Sequence, residues 1–320
     1  MIVVVGSLNM DLVVRSPRLP MPGETLSGGP FATYPGGKGA NQAVAASRLG
    51  APTAMVGRVG VDGFGQMLRI AAEVDGVNID HVVDTPGLST GVALITVEDG
   101  GQNTIVIAAG ANAALTSEDV EDAAALIASA RVLLLQLEVP LPVVTRAAAI
   151  ARAAGAIVIL NPAPAATSRL SADLLTNVDY LVPNESEAVA FLEEPSGAPP
   201  KILARALSVV TGVPNVIITL GEFGAVMFGV AGSLYHPAFR VSAVDSTAAG
   251  DAFVGGFAVA LSEGLSPEEA LRWGCAAGAL AATRPGAQSS LPRRDEVLAL
   301  LQGSGLRSRE SGTPKRASET

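Results

Sequence analysis

The sequence is poor in cysteine, histidine and aromatic residues. Cys275 is the only cysteine, which excludes a disulfide within the chain and a cysteine-based metal cluster and favours a cytoplasmic location. His81 and His236 are the only histidines and have no partners at metal-ligand spacing, so no Ser–His–Asp nucleophile can be proposed. Aromatic residues make up only 4% and hydrophobic residues 49% of the 320 residues. This composition predicts close-packed layers of helices and buried strands.

Positive charge is also scarce. The formal net charge is −9 and the pI about 4.8, so nucleic acids and anionic membranes are not expected partners. No apolar run reaches transmembrane length, and Asp11 interrupts the first apolar stretch, so we expect no signal peptide. The only lysines are Lys38, Lys201 and Lys315. An anionic substrate would need local positive charge, which draws attention to Lys38 in its glycine-rich loop.

Short apolar runs alternate with helical patterns along most of the chain. Strands buried on both faces are predicted at Ile2–Gly6, Arg131–Gln136, Ala156–Leu160, Asp179–Pro183 and Asn215–Gly221. Helices between them are predicted to end at Gly155 and Gly212. From Val241 onward the pattern is mostly helical, at Gly250 to about Glu263, Ser266 to about Thr283, and Arg293–Leu301. The prediction is an α/β fold with three layers, in which helices cover both faces of a mainly parallel sheet.

Two segments interrupt this alternation. Gly23–Tyr34 and Gly91–Ile107 contain strand-like runs with glycine-rich turns, and the sequence EDGGQN within the second is a hairpin signal. We predict a small β-sheet lid, formed by about residues 12–35 and 91–107, on a single domain of residues 1–302. Such a lid can exclude water from a site. Residues 303–320 lack apolar periodicity and are expected to be disordered.

The loop YPGGKGANQAV, residues 34–44, resembles a phosphate-binding loop only superficially. The P-loop pattern requires a glycine five positions before Gly37 and a Ser or Thr after Lys38, and this chain has neither. The stretch after the first strand, GSLNMD, also lacks the dinucleotide pattern GxGxxG. Two interpretations remain open, a glycine turn that only starts the predicted helix Ala40–Leu49, or a loop that meets a ligand.

A better candidate anion site lies in AVDSTAAGD, residues 243–251. Ala248, Ala249 and Gly250 lead into a helix, whose N-terminal N–H groups and dipole attract anions. Asp251 falls in the first helical turn. It either only favours the dipole, or acts as a base that accepts a proton from an attacking hydroxyl while the N–H groups hold a phosphoryl group.

Further polar residues follow the predicted strands, where ligands bind in α/β sheets. Asn184 and Glu187 are three residues apart, a spacing that suits a hydrated magnesium ion or, equally, a helix cap. Asn161 and Glu138 also follow strands, and TLGEFGA, residues 219–225, is a strand that ends in a glycine turn.

The order of these motifs resembles the ribokinase family of carbohydrate kinases, within the phosphofructokinase-B-like superfamily. The resemblance covers roughly residues 1–302 and rests on GSLNMD, PGET, GGKGANQAVAA, TGVALI, GANAAL, QLEVPL, NPAPA, PNESEA, ITLGEFG, AVDSTAAGD and ATRPGAQSSLP. It implies the same layered fold, and a lid through which the protein forms a homodimer.

The resemblance also implies roles for individual residues. Sugar contacts are implied for Asn9, Asp11, Gly37, Lys38, Gly39, Ala40, Asn41, Glu138 and Asp251. Asp251 would be the base, and Ala248, Ala249 and Gly250 the anion hole. Nucleotide contacts are implied for Asn184, Thr219, Leu220, Gly221, Glu222, Phe223, Gly224, Gly250, Asp251 and Cys275. Glu187 would organise Mg²⁺ through water, and K⁺ would lie at Asp245, Thr247, Ala281, Arg284, Gly286 and Ser290.

The activity that the resemblance implies is ATP-dependent phosphorylation of D-ribose at O5, giving D-ribose 5-phosphate and ADP. Alternatives are a kinase for deoxyribose, another pentose or a nucleoside, or a non-catalytic sugar-binding regulator. The sequence departs from the superfamily pattern in two places. Ser246 and Ala248 stand where Thr and Gly are common, and Cys275 stands where some relatives carry a polar side chain near the adenine.

Overall fold

A nine-stranded sheet forms the centre of the described part of the molecule. The computed structural model describes residues 1–100, 102–165, 170–192, 197–230 and 232–310, with side chains to residue 303. The strands of this sheet are β1 (Ile2–Val5), β4 (Thr53–Gly60), β5 (Val77–Thr85), β8 (Val132–Leu135), β9 (Ile157–Leu160), β10 (Tyr180–Leu181), β11 (Asn215–Thr219), β12 (Ala225–Gly229) and β13 (Gly232–His236).

Most strands of this sheet are parallel. Their order is β13-β12-β11-β10-β9-β8-β1-β4-β5. All neighbours pair in parallel except β11 with β12 and β12 with β13, which form an antiparallel edge. The carboxyl ends of β1, β8, β9, β10 and β11 therefore meet at one edge of the sheet. The predicted mainly parallel sheet is confirmed.

Helices pack on both faces of the sheet. They are α1 (Lys38–Arg48), α2 (Gly63–Val74), α3 (Ser117–Asp122), α4 (Ala124–Ala128), α5 (Leu141–Ala153), α6 (Ala172–Leu175), α7 (Glu185–Leu192), α8 (Pro200–Thr211), α9 (Ala249–Ser262), α10 (Pro267–Ala281) and α11 (Arg294–Glu310), with 3₁₀ turns at Gly110–Ala114, Gly221–Phe223 and Gln288–Ser290.

Successive residues of the central strands enter two separate cores. Val4 and Leu134 pack with α1, α9 and α10, whereas Val5 and Leu135 pack with α5 and α8 on the other face. All four side chains are fully buried, and burying each contributes about 1.5 to 3 kcal/mol. This explains why the strands read as continuous apolar runs, and it confirms the three layers.

A second sheet forms the predicted lid. Its strands are β2 (Asn9–Ser16), β3 (Phe31–Gly36), β6 (Gly91–Glu98) and β7 (Asn103–Ala108), in the order β3-β2-β6-β7. Strands β6 and β7 pair antiparallel around the predicted EDGGQN turn. The first lid strand begins at Asn9, three residues before the predicted start at residue 12. The lid therefore begins directly beside the central sheet.

Several boundaries differ from the sequence predictions. Helix α1 starts at Lys38 rather than Ala40, because Gly37 and not a later glycine occupies the N-cap position. The predicted strand Asp179–Pro183 contains only the two residues of β10. The region 53–85, which holds β4, α2 and β5, was not assigned from the sequence.

The last helix is also longer than predicted. It runs to Glu310 instead of Leu301, through glycines that are poor helix formers and so favoured an earlier end. The disorder predicted for residues 303–320 is wrong for residues 303–310, which continue helix α11, and residues 311–320 lie outside the described residues. In the described part of the chain, no helix combines the length and the hydropathy that crossing a membrane requires.

Candidate active site

A cavity of about 210 Å³ opens at the edge where the parallel strands end. It lies between the N-terminal turns of α1 and α9 and the loops after β9, β10 and β11. Its lining residues are Lys38, Asn161, Ala163, Val182, Asn184, Glu187, Thr219, Ser246, Ala248, Gly250, Asp251 and Val254. The position agrees with the rule that ligands bind beyond the carboxyl ends of the strands.

The glycines of GGKG serve close backbone contact. Gly37 has φ of 88°, and a Cβ there would lie 2.6 Å from the backbone nitrogen of Asn9. A Cβ at Gly39 would lie 2.5 Å from the backbone nitrogen of Ser7. Both positions therefore require glycine, because the loop packs directly on the connection between β1 and β2. The loop carries Lys38 into the cavity at the first residue of α1.

Glu138 joins the residues at the lid side of the site. Its Oε2 accepts hydrogen bonds from Ser7 Oγ at 2.5 Å, from the backbone N–H of Lys38 at 3.0 Å and from Asn9 Nδ2 at 3.5 Å. The carboxylate thus satisfies an N–H group in the first turn of α1, where a negative charge is favourable. Glu138, Lys38 and Asn9, which are all predicted to contact a sugar, are brought together by these hydrogen bonds.

Asp251 is held by two consecutive amide side chains of α1. Asn41 Nδ2 donates to its Oδ2 at 2.9 Å, and Gln42 Nε2 donates to its Oδ1 at 3.0 Å. Asp251 is only 7% exposed. Burial raises the pKa of this carboxyl, and Glu138 adds to the increase, while Lys38 and the two amides act in the opposite direction.

Carboxyl groups, opposite in charge to its ammonium group, surround Lys38. Burial alone would lower the pKa of its ammonium group, but Asp251, Glu138, Glu187 and Asp11 together raise it, so the lysine stays charged. The pKa of Asp11 rises from 3.8 to about 7, first because the carboxyl is buried and then because Glu138 and Asp251 repel its charge. The site therefore concentrates carboxylates around one cation.

The N-terminus of α9 is left open toward the cavity. Ala248 occupies the N-cap in the left-handed conformation, with φ of 57°, and among the described residues no side chain caps this helix. Gly250 is exposed, and a Cβ there would meet nothing within 4 Å. The Ala249 N–H donates to the Ser246 carbonyl oxygen at 3.1 Å. The N–H groups of the first turn and the positive end of a fourteen-residue helix make a suitable anion site.

Asn184 and Glu187 form the helix cap that the sequence left open as an alternative. Asn184 Oδ1 accepts from the Glu187 N–H at 2.7 Å, and Glu187 Oε2 accepts from the Asn184 N–H at 2.8 Å. Both residues also line the cavity, so capping does not remove them from the site. Burial raises the pKa of Glu187.

The other predicted nucleotide residues lie around the turn after β11. Thr219 lines the cavity, whereas Leu220, Gly221, Glu222, Phe223 and Gly224 follow it into the β11–β12 turn, outside the described lining. Cys275 is buried in α10, with its Sγ 4.0 Å from the carbonyl oxygen of His236, and burial raises its pKa to about 12. The nucleotide contacts of these seven residues stay predictions.

The predicted cation residues lie on two neighbouring loops. Asp245 Oδ2 accepts from the Gly286 N–H at 2.9 Å, and its Oδ1 accepts from the N–H and hydroxyl of Thr247 at 2.9 and 2.6 Å. The Arg284 side chain forms an ion pair with Glu296. Ser290 Oγ donates to the carbonyl of Ala287 at 2.8 Å, and Ala281 ends α10.

Sequence reasoning missed several polar residues that complete the site. Gln42 and Gln136 are fully buried, and Asn112 donates from Nδ2 to Asn9 Oδ1 at 2.7 Å. The available signal was a glutamine placed directly after the apolar run of β8, and another beside Asn41. Among the described residues, no three His, Cys, Asp or Glu side chains cluster closely enough to hold a metal ion between them.

Known proteins are similar in sequence to this chain over most of its length. A family model described as pfkB family carbohydrate kinase matches residues 1–294. A ribokinase from Haemophilus influenzae is 43% identical over 301 residues, which cover 93% of this chain and 97% of that protein. A deoxyribokinase from Salmonella typhi is 39% identical over 292 residues, which cover 91% of this chain and 95% of that protein.

A solved structure shares the fold. Arabidopsis thaliana ribokinase complexed with ribose and ATP aligns with a TM-score of 0.88 at 36% identity. The alignment covers 94% of this chain and 98% of that one. The two layers of helices, the central sheet and the lid therefore occur together in a protein that holds both a sugar and a nucleotide.

Proposed function

The chain belongs to the pfkB family of carbohydrate kinases, and we propose that it transfers the γ-phosphoryl group of ATP to O5 of D-ribose. The family assignment confirms the resemblance inferred from the motifs. The products are D-ribose 5-phosphate and ADP. Relatives named ribokinase at 37 to 43% identity support ribose as the acceptor.

One observation carries the proposal. Asp251, buried and held by Asn41, lies in the first turn of the uncapped helix α9 and lines the same cavity as Lys38. A base beside an anion site is the arrangement that phosphoryl transfer to a hydroxyl requires. A regulator that only binds sugar would not need both.

The reaction follows from these positions. Asn9, Asp11, Lys38, Asn41 and Glu138 hold the sugar hydroxyls, while Gly37, Gly39 and Ala40 let the backbone approach. Asp251 accepts the proton of the O5 hydroxyl as oxygen attacks the γ-phosphorus, and the bond between that phosphorus and the leaving oxygen of ADP breaks. The N–H groups at Ala248, Ala249 and Gly250 stabilise the charge on the moving phosphoryl group. Positioning and electrostatics supply most of the rate increase.

The nucleotide is proposed to enter from the side of β10 and β11. Asn184 and Thr219 line the cavity there, and the following turn and Cys275 would lie nearer the base. Glu187 fits a Mg²⁺ ion held through water and phosphate oxygens, because magnesium keeps several waters and needs few protein ligands. Bound there, the ion would neutralise charge on the phosphates.

A monovalent cation, K⁺, is proposed on the two loops that Asp245 and Gly286 join. Asp245 Oδ2 accepts a hydrogen bond from the Gly286 N–H, and a carboxylate oxygen has a second lone pair, so this carboxylate retains acceptor capacity. Thr247, Ala281, Arg284, Gly286 and Ser290 would contribute oxygens, several of them backbone carbonyls. The cation would stabilise the loop that leads into the anion site.

The lid is proposed to form a homodimer contact. Ile105, Val106 and Ile107 of β7 are 52%, 65% and 45% exposed, and Leu94 of β6 is 51% exposed. An apolar edge strand of this kind favours pairing with another copy. A cytoplasmic location and the lack of nucleic-acid or membrane partners stay predictions.

Deoxyribose is the second candidate acceptor. The deoxyribokinase from Salmonella typhi is as similar to this chain as several ribokinases are. The two sugars differ by one hydroxyl, and a site that hydrogen-bonds this hydroxyl leaves a polar group unpaired when it is missing.

An ADP-release assay on a sugar panel tests the proposal. Ribose, deoxyribose, another pentose and a nucleoside are compared by kcat/KM, each in K⁺ and in Na⁺. Ribose is expected to give the highest value, with a preference for K⁺. Higher kcat/KM for deoxyribose would establish the second candidate. Ribose binding without ADP release would establish a regulator.

A further inference from the structure

Behind Asp251 lies a group of three amide side chains from three different elements. Gln42 of α1 donates from Nε2 to Asp251 Oδ1 at 3.0 Å and to Asn161 Oδ1 at 3.2 Å. Gln136, which follows β8, donates from Nε2 to Gln42 Oε1 at 2.5 Å. Gln42 and Gln136 have no solvent-exposed surface. Polar groups buried this deeply are costly unless they are paired.

The direction of these hydrogen bonds is fixed at both ends. The carbonyl oxygen of Val182 can only accept, so Asn161 Nδ2 donates to it at 2.8 Å and Asn161 Oδ1 faces Gln42. An ionised Asp251 carboxylate can also only accept. The NH₂ group of Gln42 must therefore face Asp251, and its Oε1 is left to accept from Gln136. A reversed Gln42 amide would place its oxygen against two acceptors.

We propose that Gln42 is a positioning residue that fixes the orientation of the Asp251 carboxylate and stabilises its ionised form with a neutral donor. This inference rests on the proposed function of Asp251 as base. Asn41 holds Oδ2 and Gln42 holds Oδ1, so two side chains of one helix fix the carboxylate plane. Each oxygen keeps a second lone pair, and Asp251 lines the cavity with them.

A neutral donor suits a base better than a cation would. A second positive charge beside Asp251 would stabilise the carboxylate so strongly that it lost basicity, whereas no donor would leave it protonated through burial. The charged groups around Asp251 are Lys38 from α1, Glu138 after β8, Asp11 from β2 and Glu187 from α7. Three of these four are carboxylates, which makes the amide donors important for keeping the base ionised.

The test is the variant Gln42→Met, which keeps the length of the side chain and removes its hydrogen bonds. We expect kcat to fall about 10- to 100-fold, because the base loses its fixed orientation. The affinity for ribose should change less than about 3-fold, because Asn41 and Lys38 remain. The acid limb of the kcat–pH profile should move to higher pH than in the wild type. A fall in kcat with an unmoved acid limb would show that Gln42 only fills space, and would overturn the proposal.

Two further variants keep the test decisive. Gln136→Met removes the donor to Gln42 Oε1 without touching Asp251, and it should shift the acid limb in the same direction by a smaller amount. If Gln42→Met does not fold, an unmoved limb in Gln136→Met overturns the proposal. Gln66→Met, on the exposed surface of α2, is the matched control and should leave kcat and the limb unchanged.

The wild-type profile separates this inference from the proposed function. Wild-type protein that releases no ADP with ribose or with the other sugars contradicts the proposed function. Active wild-type protein with an unmoved limb in the variants contradicts only the role of Gln42.

Discussion

Lys38 and Asp251 face the same cavity from the first turns of two helices, α1 and α9, that lie more than two hundred positions apart in the sequence. The cation reduces the pKa increase that burial imposes on the carboxyl, and the carboxyl in turn raises the pKa of the lysine. Each residue thus favours the charged form of the other. Removing one member should therefore change the protonation of the other.

Asp251→Asn removes the proposed base and keeps the shape of the side chain. We expect kcat to fall about 10²- to 10⁴-fold, the usual contribution of a general base. Ribose affinity, measured by calorimetry, should stay within a few-fold. Asp122→Asn, on an exposed helix end, is the control. Near-normal turnover of Asp251→Asn would eliminate this residue as the base.

Lys38→Ala should weaken the use of ribose more than the binding of ATP. The loop geometry places Lys38 on the side of Glu138 and Asn9, so KM for ribose should rise about 10- to 100-fold. The Kd of ATP should change only a few-fold, as measured by fluorescence or calorimetry. Lys201→Ala, at an exposed position of α8, provides the control. If ATP binding suffered more than ribose use, Lys38 would instead act as the lysine of a phosphate-binding loop.

Asp11 should make the protein without sugar less stable as the pH rises. Its pKa is about 7 in the folded state and 3.8 in the unfolded chain, so the folded state binds more protons between these values. The free energy of unfolding therefore decreases from about pH 4 to pH 7. Asp11→Asn should remove this part of the pH dependence and increase stability at pH 8 by about 1 to 4 kcal/mol. Urea unfolding at several pH values measures both. Equal slopes in variant and wild type would contradict the shifted pKa.

Val106→Asp should disrupt the proposed lid dimer. Its side chain is 65% exposed on the lid edge strand β7, and a carboxylate there opposes pairing of two copies. Light scattering after size-exclusion chromatography should show a dimer for the wild type and a monomer for the variant. Val209→Asp should leave the mass unchanged, because Val209 of α8 is 75% exposed and lies away from the lid. A monomeric wild type, or a dimer in both variants, would exclude the lid contact.

The layered fold could be predicted from the sequence because its strands are buried on both faces. Val4 and Leu134 contact one core while their neighbours contact the other, and this produces continuous apolar runs. Strand β5 was not assigned because it is an edge strand, and its alternating buried and exposed residues give a weaker signal. Helix α1 starts earlier than predicted because the close approach of Gly37 to Asn9 is a tertiary contact.

The candidate site was predictable only in part. Asp251, Lys38 and Asn41 stood out because they belong to small-residue motifs at helix starts. Gln42 and Gln136 did not, because a buried amide in an apolar stretch gives no sign of its partner. Their contact crosses 94 positions and depends on β8 lying beside β1, under α1. Sequence spacing cannot show which two amides will share a hydrogen bond across such a distance.

The left-handed backbone of Ala248 implies that this residue lowers thermal stability while it supports turnover. Among the described residues other than glycine, only Ala248 has a positive φ, and this conformation costs an alanine about 1 to 2 kcal/mol. Ala248→Gly would relieve that strain, so its melting temperature should equal or exceed that of the wild type. The same change would let the loop before α9 sample other shapes, so turnover should fall. A melting curve and a kcat for this one variant would show whether the native alanine lowers the melting temperature while it keeps the anion site rigid.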